Sequence, residues 1–371
     1  MRSNYAAAEA AVRDLEELGF ATMPVPTDTT TTVARGFCIA RSAFDVLEDG
    51  PPQLGPHTTD SANASGSHRV GALSNYNACR EGFIFSNGAS FEMHGVDGFE
   101  AAMGSFFSAA LETVHTVLEA IERRLQLPAN WFESSLGPLK DSSQWHMKRY
   151  RPEAAPQHAV TSDGKLVLLA VHSDPSLVSL IFHDRPGCSP GAMGLECQVT
   201  GSDGKLAWSP IASHGHSVVT ILAGSVLDKL TCGVYRAVRH RVAVPHATYM
   251  ESGKRVAATF FFRPAPSAVL QPPPSPLLPR LQSGQQGMMG LRYSEWQKKV
   301  AAKYEKHAPP TDFAKAGTAK AGTAKARSTA AASGARPPNG EMEAMRVPAV
   351  AISLSAASAI SLHAIKVRIG W

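Results

Sequence analysis

The chain has 371 residues, 44% of them hydrophobic and 18% charged, so it can bury a core of its own and hold one large domain or two. Its net charge of +5 is modest and much of the lysine lies in a C-terminal repeat, which argues against a nucleic-acid surface. The five cysteines, Cys38, Cys79, Cys188, Cys197 and Cys232, are odd in number and contain no CxxC pair. That pattern argues against a disulfide framework and a structural zinc site and favours a reducing compartment. The opening stretch MRSNYAAAEAAVRDLEELGF carries acidic residues and no long apolar run, so neither a secretory signal nor a typical transit peptide is expected, and a cytoplasmic location is.

Residues Tyr5 to Leu18 have helical apolar spacing, with Gly19 placed to end the helix and a short strand expected over Phe20 to Val25. From Pro26 to Ser67 the chain is rich in Thr, Ser, Pro and Gly, apart from an apolar patch around Phe37 to Phe44, and reads as loop with short elements. A second helix is expected from Asp97 or Gly98 to about Leu125, where Phe99, Ala102, Met103, Phe106, Ala110, Val114, Val117, Leu118 and Ile121 form a core stripe. After Pro138 the pattern changes to short β-type runs. They cover Trp145 to Tyr150, Lys165 to Val171, Leu177 to Phe182, Leu195 to Val199, Val218 to Leu222, Tyr235 to Val244 and Arg255 to Phe262. Strands of this length with Gly and Pro between them predict a β-sandwich or barrel, and Asp203-Gly204-Lys205 a hairpin turn. A last helix is expected from Ser294 to His307, followed by the low-complexity repeat AKAGTAKAGTAKARSTAAASGARPPNG, which reads as a disordered tail. Val347 to Leu362 is apolar but interrupted by serines and short of the roughly 20 residues of a spanning helix, so no membrane anchor is expected.

The stretch Val167 to Asp184, VLLAVHSDPSLVSLIFHD, reads as a strand, a polar corner and a second strand. Side chains two apart on a strand share a face, so His172 and Asp174 project together from one element. Two histidines and a carboxylate with open positions is the ligand pattern of a non-haem Fe(II) site. The third ligand has a candidate in His240, sixty-eight residues on and inside an apolar strand pattern. Arg255 heads another apolar run, RVAATFFF, where a buried cation needs an acidic partner or a ligand.

In order along the chain, these residues resemble the iron and 2-oxoglutarate-dependent dioxygenases of the isopenicillin N synthase-like superfamily. Arg149-Tyr150-Arg151-Pro152 resembles the family's Asn-Tyr-Tyr-Pro, and His172-Ser173-Asp174 its His-Thr-Asp, with Ser179-Leu180-Ile181-Phe182-His183-Asp184 following in step. Gly194-Leu195 with Asp203-Gly204-Lys205 and Trp208 resembles the central Gly-Leu and Asp-Gly-Lys-Trp stretch. Gly233-Val234-Tyr235-Arg236 to His240-Arg241-Val242 resembles Gly-Arg-Tyr-Lys to His-Arg-Val, and Arg255-Val256-Ala257 falls at Arg-x-Ser. The resemblance runs from about Trp145 to Pro264 and is weaker before it.

The resemblance implies a mainly β fold with flanking helices: a double-stranded β-helix, or jelly roll, packed against a helical N-terminal region. It divides the chain into an N-terminal α+β region (1–140), the dioxygenase domain (141–268), a C-terminal helical extension (269–307) and the tail (308–371). It implies Fe(II) held by His172, Asp174 and His240, and 2-oxoglutarate held by Arg255 with Tyr150 as a neighbour. Ascorbate is compatible as a reductant. A monomer is expected that oxidises a small organic molecule with dioxygen, hydroxylation being the default, with release of succinate and carbon dioxide. The chain departs from the pattern where Ala257 replaces a serine, Arg149 and Arg151 flank Tyr150, and Gly224-Ser225 replaces Gly-Asp. An iron oxidase of the same fold that does without 2-oxoglutarate is the first alternative, and a non-catalytic binding protein the second. Among the other histidines, His214 and His216 read as a solvated loop, His183 as a hydrogen-bonding residue near the site and His246 as part of a turn. The prime substrate is expected to meet N-terminal loops such as Asn75 to Phe91.

Overall fold

Gly19 ends α1 (Arg2–Leu18) and turns the chain into β1 (Phe20–Pro24), close to the sequence expectation. The computed structural model describes residues 2–49, 66–70, 79–86, 92–152, 160–184, 194–245, 255–279 and 288–307, all within a unit spanning Met1–Ala314. The expected tail, the apolar segment Val347 to Leu362 and His246 lie outside the described residues. Among the described residues no helix is long and apolar enough to cross a membrane.

The expected loop after Pro26 is instead a helix, α2 (Thr27–Asp49). Its threonines and Gly36 are poor helix formers, which hides it from composition. Yet Val33, Phe37, Ala40, Phe44 and Leu47 recur at helical steps and are buried, and packing outweighs propensity. Their partner is α3 (Phe99–Arg124), which buries the stripe expected of it. Gly36 lets the two helices approach, since a Cβ there would lie 2.5 Å from Cδ1 of Phe106. The short helices α4 (Trp131–Leu136) and α5 (Leu139–Ser142) lead into the β region.

The named strands form two antiparallel sheets. The large sheet has the order β1-β9-β6-β11-β4-β3-β2, from β2 (Gly66–His68), β3 (Arg80–Ser86), β4 (Gln144–Tyr150), β6 (Val178–His183), β9 (Val218–Ala223) and β11 (Val256–Phe262) together with β1. The small sheet has the order β5-β10-β7-β8, from β5 (Lys165–His172), β7 (Leu195–Thr200), β8 (Leu206–Pro210) and β10 (His240–Pro245). The predicted hairpin turn joins β7 to β8, with Gly204 at φ +74° and the Gly201 amide donating to the Lys205 carbonyl at 2.7 Å. Two expectations need correction. The strand expected from Tyr235 begins only at His240, after helix α6 (Ser225–Leu230) and an irregular stretch in which Tyr235 is buried in the main core instead of pairing. The region expected as loops over Asn75 to Phe91 contains β3, whose residues are all buried; residues 75–78 and 87–91 lie outside the described set. Helix α7 (Tyr293–His307) closes the described part.

The large sheet carries the main core on its outer face. Phe85, Trp145 and Phe260 stack across adjacent strands at centroid distances of 4.1 and 4.7 Å, and Phe106 of α3 meets Trp145, Phe182 and Phe260 within 5.8 Å. Truncating a buried aromatic of this kind costs about 3–5 kcal/mol. A second cluster lies between the sheets, where Ile181, Leu222 and Ala257 of the large sheet meet Leu195 and Cys197 of the small one. This sandwich is the jelly roll expected from the sequence. Because outer and inner residues alternate, the inner face of β4 presents Gln144, His146, Lys148 and Tyr150, while Trp145 and Met147 face the helices.

Candidate metal centre

His172 and His240 face one another as directly paired residues of β5 and β10, and a bulge follows His240. Their rings lie 4.2 Å apart, centroid to centroid. Asp174, two residues beyond His172, is fixed by its own carbonyl, which accepts the Ser225 amide at 2.8 Å. Its Oδ1 lies 3.5 Å from Nε2 of His172 and 3.7 Å from Nε2 of His240. The three ligand atoms lie within 4.8 Å of one another, and no other such group occurs among the described residues.

The hydrogen-bonding pattern suits a cation. Nδ1 of His172 lies 2.8 Å from the Ala170 carbonyl and Nδ1 of His240 lies 3.3 Å from the Val238 carbonyl. A carbonyl only accepts, so each Nδ1 carries a proton and each Nε2 is the nitrogen turned to the metal position. Burial, reinforced by His172, pushes the His240 imidazole down to about 4, so it is neutral at pH 7. Burial opposes the charge on Asp174, but His240 and His172 more than offset it and hold the carboxyl well below the usual range. Asp174 Oδ2 is buried and has no hydrogen-bond partner among the described residues. Two imidazole nitrogens, one carboxylate and an orphaned carboxylate oxygen fit a borderline divalent metal such as Fe(II).

Arg255 and Tyr150 meet at the inner end of the large sheet. The Tyr150 amide donates to the Arg255 carbonyl at 3.0 Å, and the guanidinium carbon stands 4.7 Å from the centre of the Tyr150 ring. Both residues are buried. The ring thus gives a planar cation a flat seat, a contact of about 0.5–2 kcal/mol. Lys148 and His183 also face this interior, Lys148 directly across from Ala257 on one side and His183 on the other. His183 was marked in the sequence as lying near the site. Lys148 was not, because the polar side of an alternating strand ordinarily reads as the solvent side.

The arginines on either side of Tyr150 have a structural partner. Nε of Arg149 and Nε of Arg151 each donate to Glu81 Oε1 at 2.6 Å, and all three side chains are largely buried. They tie the end of β4 to β3. His216 is not in a solvated loop, as the sequence suggested: it stacks on Phe37 of α2 at 5.3 Å and 16°, with Nε2 3.4 Å from Asp184, which also pairs with Arg41. The HxH spacing gave no sign of that partner, which comes from another element. His214 is exposed.

Comparison with known proteins agrees with this geometry. The family model described as the 2OG-Fe(II) oxygenase superfamily matches residues 145–264. Over 171 residues the chain is 26% identical to the proline hydroxylase buaE of Petromyces alliaceus, covering 45% of this chain and 49% of that one. Over 116 residues it is 34% identical to the deacetoxycephalosporin C synthase of Amycolatopsis lactamdurans, covering 31% and 34%. The chain therefore spans about half or less of the length of these relatives. In fold it is similar to a full-length Neurospora crassa protein solved in complex with alpha-KG and 5-formyluracil, with a TM-score of 0.61 at 17% identity over 80% of this chain and 90% of that one. It is also similar to the rice dioxygenase for auxin oxidation, with a TM-score of 0.56 at 16% identity over 81% and 90%. The His-Asp-His cluster lies inside the segment 145–264 that is similar to the 2OG-Fe(II) oxygenase superfamily.

Proposed function

We propose that this protein is an Fe(II)- and 2-oxoglutarate-dependent dioxygenase that oxidises, most simply hydroxylates, a small organic substrate. The convergence of His172, Asp174 and His240 on one point carries this reading. When bound, Fe(II) and 2-oxoglutarate supply the oxidising chemistry, with the cosubstrate leaving as succinate and carbon dioxide. The residues of the chain have simpler tasks. His172 and His240 would offer Nε2 and Asp174 its carboxylate to the metal, three protein ligands that leave positions open for cosubstrate and dioxygen. Arg255 would pair with the distal carboxylate of 2-oxoglutarate through its planar fork, and Tyr150 would hold that fork in place. The buried apolar cluster of Ile181, Leu195, Cys197 and Leu222 between the sheets would help to keep bulk water from the reacting centre.

The test combines metal content with product analysis. The wild type is expected to bind Fe(II) and to release succinate from 2-oxoglutarate, stimulated by small organic candidates. His172→Ala, Asp174→Ala and His240→Ala are each expected to abolish tight metal binding and turnover, because each removes one of only three protein ligands. Equal iron occupancy in wild type and His240→Ala would overturn the ligand set. Dioxygen consumption without any 2-oxoglutarate would overturn the cosubstrate.

A further inference from the structure

Across the middle of the large sheet, Lys148 on β4, Ala257 on β11 and His183 on β6 lie side by side in register. All three face the interior, since their neighbours Met147, Ala258 and Phe182 belong to the outer core. Ala257 contributes only a methyl group. On the far side of Lys148 the paired residue of β3 is Gly82, where a Cβ would come 2.0 Å from the Met147 carbonyl oxygen, so no side chain can fill that position. A lysine and a histidine therefore stand in a row whose other positions are nearly bare, one step along the same face from Arg255.

Both side chains are deeply buried, Lys148 at 4% exposure and His183 at 3%. Among the described residues no carboxylate comes within 4.0 Å of the Lys148 ammonium, which stands 5.2 Å from the centre of the Phe261 ring. Neither ring nitrogen of His183 has a hydrogen-bond partner among the described residues. A buried cation without a counter-ion and a buried imidazole without a partner are both costly, and such groups in a folded protein ask for an explanation. Burial and then Arg80 push the lysine well below its usual range, with Arg255 acting the same way and Asp174 against them. Burial and then Arg255 push His183 down as well. The ammonium thus feels both ends of the site, the carboxylate of the metal cluster and the guanidinium of Arg255. An anion between those ends would restore its charge.

We propose that Lys148 and His183, flanking Ala257, complete with Arg255 the receptor for the distal carboxylate of 2-oxoglutarate, Lys148 as ion-pair partner and His183 as a neutral N–H donor. Ala257 itself has no hydrogen to give, and its two cross-strand neighbours supply the donors instead. This rests on the cosubstrate reading above and extends it to residues of this chain.

The test is calorimetric binding to the full chain loaded with Mn(II), which binds 2-oxo acids without turnover. Two ligands are compared: 2-oxoglutarate, and 2-oxopentanoate, which has the same chain length and lacks the distal carboxylate. Lys148→Met is expected to weaken 2-oxoglutarate by at least roughly tenfold, the scale of a lost charge-assisted bond, and to leave 2-oxopentanoate within about twofold. His183→Leu should give a smaller loss with the same selectivity, and adding Ala257→Ser to Lys148→Met should recover part of the affinity. Removing an uncompensated buried charge is not expected to harm folding. Should Lys148→Met fail to fold, Lys148→Gln is read in its place. Wild-type affinity for 2-oxoglutarate in the lysine variant, or an equal loss of both ligands, would overturn the proposal alone. A wild type that binds no 2-oxoglutarate would overturn the cosubstrate reading and this proposal together.

Discussion

Arg255 shows how much one side chain of this site depends on its shape as well as its charge. Its guanidinium lies over the Tyr150 ring at 4.7 Å and is buried, so its orientation is set before any ligand arrives. Arg255→Lys keeps the charge but loses both the planar contact with the ring and the two-pronged donor geometry. The half-saturating 2-oxoglutarate concentration is expected to rise by at least about tenfold, or ~1.4 kcal/mol. Succinate release measured across a cosubstrate series checks this, and a curve unchanged from wild type would remove Arg255 from the cosubstrate site. The metal cluster was legible at this scale because a His-x-Asp step is local, although Asp174 lies in the corner just beyond β5 and not on the strand, and because His240 stands inside an apolar strand pattern that the family resemblance then matched. The inward polar row was not. Trp145, His146, Met147 and Lys148 alternate as any half-solvated strand would, and only the packing of Trp145 and Met147 in the main core reveals that both faces are covered.

Elements that pack against other elements were the hardest to read. Phe99 to Arg124 declares itself as a helix through its unbroken apolar stripe, whereas α2 hides the same stripe among threonines. The strand β3 was missed because its core contacts, such as Phe83 on Phe44 and Phe99, belong to distant segments. Arg149 and Arg151 looked like changes to the active site, yet their bonds to Glu81 assign them to holding β3 and β4 together. Gly36 offers a test of the helix crossing. Propensity alone would have Gly36→Ala stabilise α2 by up to about 1 kcal/mol. Packing opposes it, because the added methyl would meet Phe106, itself wedged among Phe37, Trp145, Phe182 and Phe260. Overpacking costs about 1–3 kcal/mol, so the variant should be net destabilised. Chemical denaturation checks the sign, and a variant as stable as wild type or more so would mean that Phe106 can yield.

The site draws on both sheets, which couples ligand binding to the stability of the whole roll. His172 and His240 come from the small sheet, Asp174 from the corner leading into β6 of the large sheet, and Arg255 from the head of β11. A metal bound to all three ligands therefore bridges the small sheet to the start of a large-sheet strand, and 2-oxoglutarate would extend that bridge to β11. A ligand that binds the folded state alone stabilises it by RT ln(1 + [L]/Kd), about 2.7 kcal/mol at a hundredfold excess over Kd. Fe(II) or Mn(II) is accordingly expected to raise the melting temperature of the wild type in a concentration-dependent way, and a chelator to reverse the rise. In the proposed site the metal would hold the other end of the dicarboxylate, so 2-oxoglutarate should add a further increment only after the metal. His240→Ala should lose both increments, and because His240 is buried at 4% exposure its melting temperature without metal is compared with that of the metal-free wild type to separate lost packing from lost metal. A metal-induced rise of the same size in His240→Ala would place the metal elsewhere, and a rise with 2-oxoglutarate in metal-free wild type would show that Arg255 and its neighbours hold the dicarboxylate without help from the metal.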